Sequence, residues 1–154
     1  MDSTPHTDAL LAALAATAHG DNTAAHAYLD GVFARRDPAE GTEVAVGCAR
    51  LIVRCLRVHE PSGGSWTVAA PPGDDGRPGD IEALDPVDVF GARVIVAVAN
   101  GDEDLAMALH HAEAQHPDPD RYPAVLAALF RSAATVLGHQ PGPPGVPAAR
   151  EPRP

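Results

Sequence analysis

From Asp8 to Ala18, the apolar residues Leu10, Leu11, Leu14 and Ala18 recur at three- and four-residue intervals. That rhythm places them on one face of an amphipathic helix. His19-Gly20 ends it, glycine supplying a left-handed C-terminal residue, and Asp21 is placed to cap the next helix through its carboxylate. The second segment, about Asn22 to Arg35, gathers Ala25, Tyr28, Leu29, Val32 and Phe33 on one side. Asp37-Pro38 and Gly41 predict a break, after which Thr42 caps a third helix reaching about Val58. Arg50, Arg54 and Arg57 form a stripe away from its apolar face.

The pattern then repeats. Gly20-Asp21 falls on Gly101-Asp102 at an offset of 81, and without a gap Asp37-Pro38 then falls on Asp118-Pro119, Val44 on Val125 and Arg50 on Arg131. Over the fifty-one pairs that begin at Asp8 and end at Val58 there are eleven identities, four of them the inexpensive match of Ala on Ala. A duplicated unit fixes the architecture before any single element does. The second copy predicts helices over Pro86 to Ala99, Glu103 to Gln115 and Asp120 to Leu137, with Asp102 as N-cap and Pro123 in a first turn, where its missing N–H costs little. Residues 91–99, GARVIVAVA, are dense in β-branched side chains and also fit a buried strand with Trp66 to Ala69 as its neighbour. Their aligned partner, Leu10 to Ala18, is a strong helix former.

The expectation is therefore an all-α protein: two related three-helix units, 8–58 and 86–139, packed as one pseudo-two-fold bundle, with an α+β alternative in which 91–99 is a strand. Residues 1–7 and the Pro-rich tail 140–154 read as disordered, and 59–85 as a Pro/Gly-rich linker. Each unit of about fifty residues is too small to bury much surface alone, so the two are expected to share a core or to pair with another molecule.

Composition narrows the partners. The net charge is -10, which opposes nucleic-acid binding because phosphate contacts need concentrated basic surface. It also opposes an anionic membrane surface. No stretch approaches the ~20 apolar residues of a bilayer span, and the N-terminal segment lacks a basic region before its alanines, so a cytoplasmic protein is expected. All eleven basic residues are arginine. With the abundance of Ala, Gly, Pro and Asp, this is the signature of a GC-rich bacterial genome, which lowers the weight of any single Ala or Arg. Cys48 and Cys55 lie roughly 10 Å apart along one helix, too far for a disulfide, and read as buried small hydrophobes.

The chemistry-bearing residues each have a plain reading beside the functional one. His110 and Glu113 share a helix face, as a metal site would require, but the aligned Leu29 and Val32 show that the scaffold does not need them, so no metal or other cofactor is expected. His111 points about 100° away from His110, and His116 lies at the helix end. Asp74 to Glu82 is an acidic, glycine-rich stretch without the register of a calcium loop. Arg50, Arg54 and Arg57 suit an acidic partner or simply a solvated face. The tail carries Pro-x-x-Pro steps at Pro141, Pro144 and Pro147. There is no nucleophile elbow, Cys-His grouping or phosphate-cradling loop, and the expectation is a protein that is not an enzyme.

HGDNTAAHAYLDGVF and NGDEDLAMALHHAEA each resemble the turn and second helix of a tetratricopeptide-type hairpin, with Ala25 and Ala106 as the small residues that let helices approach. The offset of 81 departs from that family's repeat of about 34 residues, and its Trp-Leu-Gly-Tyr pattern is missing. The resemblance implies a helical module that presents surfaces to other proteins. The expected function is protein–protein interaction, as a regulator or assembly component, with a protein partner and a homodimer among the options. The interaction candidates are Arg50, Arg54, Arg57, His110 and His111. The alternative is a small-molecule binder or sensor with its pocket between the units.

Overall fold

A computed structural model describes residues 5–35, 37–57, 65–67, 79 and 83–139. The predicted linker, with its acidic stretch, lies outside the described residues except at 65–67, 79 and 83–85, and so does the tail with its Pro-x-x-Pro steps. The described residues form six α-helices: α1 (Pro5–Ala18), α2 (Asn22–Arg35), α3 (Pro38–Arg57), α4 (Pro86–Ala99), α5 (Glu103–Ala114) and α6 (Arg121–Gly138). Among them there is no strand, only an isolated bridge residue at Gly79. The protein is all-α. Residues 91–99 are helical throughout, and the strand alternative is set aside.

The turns explain why the helices stop where they do. Gly20 and Gly101 hold φ of 93° and 77°, a left-handed conformation costly for a side chain with Cβ. Around them the same two bonds form: Asp21 N–H donates to Ala16 O and Gly20 N–H to Thr17 O, while Asp102 N–H donates to Ala97 O and Gly101 N–H to Val98 O. These are Schellman closures. The carboxylates of Asp21 and Asp102 then accept from Ala24 N–H and Leu105 N–H, at 3.1 and 3.0 Å, capping α2 and α5. Asp85 caps α4 by accepting from Val87 N–H, with Pro86 at the first position, where proline is pre-organised for the helix.

Two local expectations are corrected. The break at Asp37-Pro38 is shorter than predicted: Asp37 accepts from Ala39 N–H, α3 starts at Pro38, and Gly41 lies inside the helix. The hydroxyl of Thr42 donates to Pro38 O instead of capping a new helix. On α1, Leu11 is 45 % exposed and Ala13 is buried in its place, so the buried face is Leu10, Ala13 and Leu14.

The units do not pack as separate bodies. α1 lies against α2 and α6, α4 lies against α5 and α3, and α3 against α6 is the most extensive helix pair. The first helix of each half thus rests on the third helix of the other. A single apolar cluster draws on all six helices, with Leu14, Val44, Val94, Leu126 and Phe130 fully buried. Burying an aliphatic side chain of this size contributes about 1.5–3 kcal/mol, so a core spread across both halves ties their stabilities together. Ring stacking of Tyr28 on Phe130, centroids 5.9 Å apart, is a further link from α2 to α6.

Candidate functional site

Three sets of side chains carry polar chemistry, and two of them are spent inside the fold. His110 on α5 is 3 % exposed, more deeply buried than the solvated or partly packed helix face expected for this histidine. Its ring bridges the two units. The Thr42 hydroxyl has one proton and gives it to Pro38 O, so its oxygen must accept from His110 Nδ1–H at 3.1 Å. His110 Nε2 is left as an acceptor for the Tyr122 hydroxyl at 2.8 Å. In this relay, Tyr122 to His110 to Thr42 to Pro38, the imidazole is neutral and each of its nitrogens has a partner. Burial, with the neighbouring His111 adding to it, lowers the His110 pKa from its ordinary value of 6.5 and so favours that state. Tyr122 packs edge-on against the ring, and burial raises its phenol pKa.

The second set clamps the turns between second and third helices. In the first unit Arg35 donates through Nε and Nη2 to the buried Glu40 carboxylate, and His6 approaches the same carboxylate at 3.1 Å. In the second unit Arg121 makes the same forked contact to Glu113. The hydrogen bonds from Arg35 hold the Glu40 carboxyl below the usual range. With the His110 ring spent on Thr42 and Tyr122, and Glu113 spent on Arg121, this predicted pair of weak metal candidates is committed to different partners. No group of three His, Cys, Asp or Glu among the described residues has the arrangement to hold a metal ion.

The third set is open. Between α1, α3 and α5 runs a groove of about 520 Å³. Its floor is the outer face of α3, with Val46, Gly47 and Leu51; its walls carry Leu11 from α1 and Met107 from α5. Those two side chains are 45 % and 52 % exposed. Glu43 lies toward one end of the floor, and Arg50 and Arg54 toward the other. Arg50 reaches across to Glu103 at 2.7 Å, an exposed pair of small energetic weight. Tyr28 lines the groove as well, and desolvation pushes its phenol up to about 12, so it faces the groove as a neutral donor.

The structure therefore separates the sequence-predicted residues. Arg50 and Arg54 line one groove, and the Arg57 side chain lies outside the described residues. His110 is interior and positions helices; His111 is exposed next door and contacts Gln115 Nε2 at 2.6 Å. Cys48 and Cys55 are buried free thiols. Sequence reasoning missed Leu11 and Met107. For Leu11 the signal was a row of three leucines where the helix needs only two, Leu10 and Leu14, for its buried stripe. No described helix is long and apolar enough to cross a membrane. No protein-family model, curated protein or solved structure matches the chain.

Proposed function

We propose that this chain is a non-enzymatic, cytoplasmic protein–protein interaction module, a regulator or assembly component, that docks its partner in the groove between α1, α3 and α5. The observation carrying this reading is that groove: an apolar floor, two large apolar side chains on its walls exposed to about half their area, and charges at its ends. Interfaces combine an apolar centre with a polar rim in this way. A small-molecule site would instead enclose its ligand and converge polar groups on it. Here the buried Glu40 and the half-buried Thr42 of the lining are already bonded to Arg35, Pro38 and His110.

The architecture is read as a duplicated three-helix unit whose halves are related by an approximate two-fold axis. In support, α1 and α4 have the same limits at the offset of 81, the two Schellman turns are bonded alike, and α1 on α6 mirrors α4 on α3. The resemblance of α1–α2 and α4–α5 to tetratricopeptide-type hairpins points the same way on function. The aligned face of the second half, between α4 and α6, holds a smaller depression of about 200 Å³ with Gly91 and Ala92 where the groove has Leu10 and Leu11, so these larger apolar side chains belong to one half alone.

The test places a photo-activated cross-linking residue at Leu11 or Met107, in the groove, and at Ser132, which is exposed on α6 away from it. Cross-linking in cells to a defined protein from the two groove positions and not from Ser132, followed by binding of that purified protein, is the expected result. Equal labelling from all three positions, or none, overturns the reading.

A further inference from the structure

We propose that the groove receives a second copy of this chain, whose α5 ridge lies antiparallel on α3 in a two-fold symmetric dimer. The proposal rests on reading the groove as a protein-docking face and names its occupant.

The exposed stripe of α5 is Asp104, Met107, Ala108 and His111. Its spacing, i, i+3, i+4, i+7, is that of one helix face. The facing stripe of α3 is Glu43, Gly47, Arg50 and Arg54, also one helix face, with Val46 buried beside it and Leu10 of α1 lying against Gly47. Set antiparallel, the two stripes match in chemistry at each step. His111 meets Glu43, Met107 and Ala108 lie over Gly47 and the Leu10 side chain that covers it, and Asp104 meets Arg50 with Arg54 just beyond. The apolar middle of one stripe falls on the apolar middle of the other, and its polar ends fall on charged residues.

The fold supplies this register. Within one chain α5 already runs antiparallel beside α3: Arg50 is bonded to Glu103, and Thr42 to His110. A two-fold axis parallel to α3 leaves every residue at its level along that helix. The second copy's α5 therefore arrives with Asp104 near the level of Arg50 and His111 near the level of Glu43, with no adjustment of register. The same axis seats the first copy's α5 in the second copy's groove, so one patch is used twice, as an isologous interface requires. Among the described residues Glu43, Arg54 and Asp104 have no ion-pair partner within the chain. Charge complementarity of this kind fixes orientation and speeds encounter.

The experiment is sedimentation equilibrium of the full chain over a series of concentrations, at low and high salt, with circular dichroism of each variant as the check on folding. Wild type is expected to be a dimer. Met107→Glu places a carboxylate on the apolar floor and is expected to weaken the dimer by about tenfold or more, equivalent to 1.4 kcal/mol or above. Arg54→Asp and Asp104→Arg are each expected to weaken it, and the double exchange R54D/D104R to restore it; both sites are exposed and neither is ion-paired within the chain among the described residues, so the variants keep the fold. A wild-type chain that stays monomeric throughout overturns the proposal. So does a dimer indifferent to Met107→Glu, or one that the double exchange fails to restore. A monomer that still cross-links to a different protein from Leu11 and Met107 removes the second copy while leaving the docking face intact.

Discussion

The hydroxyl of Tyr122 occupies the space that a side chain at Gly41 would need: a Cβ built there collides with it. The two residues lie 81 apart, at positions aligned by the sequence offset, and one holds no side chain where the other holds an aromatic ring. The ring crosses from α6 to α3 and brings its hydroxyl to His110. Gly41→Ala is therefore expected to destabilise by about 1–3 kcal/mol, the usual penalty of overpacking, although alanine is otherwise the better helix former. Tyr122→Phe alone loses one hydrogen bond, about 1 kcal/mol. The double variant G41A/Y122F should cost clearly less than the sum, because removing the hydroxyl relieves the collision. Urea unfolding of the four proteins measures the coupling, and strict additivity would show that the contact is unimportant.

The neutral imidazole of His110 makes folding sensitive to mild acid. Its pKa in the fold lies below the ordinary 6.5, chiefly through burial, so between those two values the unfolded chain binds more protons than the folded one. Stability then rises with pH in that window. Its contribution is complete above about 6.5 and is lost as pH falls through the folded value. Chemical unfolding from neutral to mildly acidic pH should show the decline, and His110→Gln should flatten it while lowering stability at neutral pH. An unchanged slope in the variant would assign the decline to other groups.

The helices and their limits were legible from the sequence because their signals are local. Gly20 and Gly101 mark the ends of α1 and α4, and Asp21, Asp85 and Asp102 mark starts, each through a bond to a residue within five positions. The aligned segment Leu10 to Ala18 favours helix for 91–99 against its β-branched content, and the structure removes the strand alternative. What escaped was set by contacts between distant elements. Gly41 reads as a breaker, and only the Tyr122 ring beside it shows that glycine is there for space. Leu29, in the aligned place of His110, is buried too, but it gives no sign that Thr42 and Tyr122 turn the same location into a polar bridge. Leu11 fits the apolar period of α1 but points into the groove, because α1 needs only one row of residues to rest on α2 and α6.

Glu40 and Arg121 lie at aligned positions, 81 apart, and each closes a clamp across its own turn, although their partners Arg35 and Glu113 are not aligned with each other. In the first copy the buried member is the acid, with Arg35 largely in solvent. Arg35→Ala should then be more damaging than Glu40→Gln, because it strands a buried charge, whereas the amide removes it. A loss of stability is expected for Arg35→Ala, recovered in part in R35A/E40Q. The Glu40 carboxyl, held low first by the Arg35 hydrogen bonds, stabilises the fold above its ordinary value of 4.5, and that contribution disappears as pH falls through the folded value. Acid titration of Glu40→Gln should lack this component, and thermal melts of the three variants at neutral pH would reveal whether the ranking holds.

The division of α1 into a buried row and a groove row gives the sharpest contrast between neighbouring residues. Leu14 is fully buried at the meeting point of the helices, while Leu11 stands 45 % exposed on the groove wall. Leu14→Ala should cost about 2–5 kcal/mol, the transfer term plus the cavity it leaves. Leu11→Ala loses only part of a half-solvated contact and should stay within roughly 0.5–1 kcal/mol of wild type. In binding the order should reverse: Leu11→Ala weakens association through the groove, while any Leu14 variant that remains folded binds as wild type does. Denaturant midpoints and the association constant, measured on the same two proteins, separate the roles. A Leu11 variant as unstable as the Leu14 variant would mean that α1 is rotated and that the groove wall is part of the core.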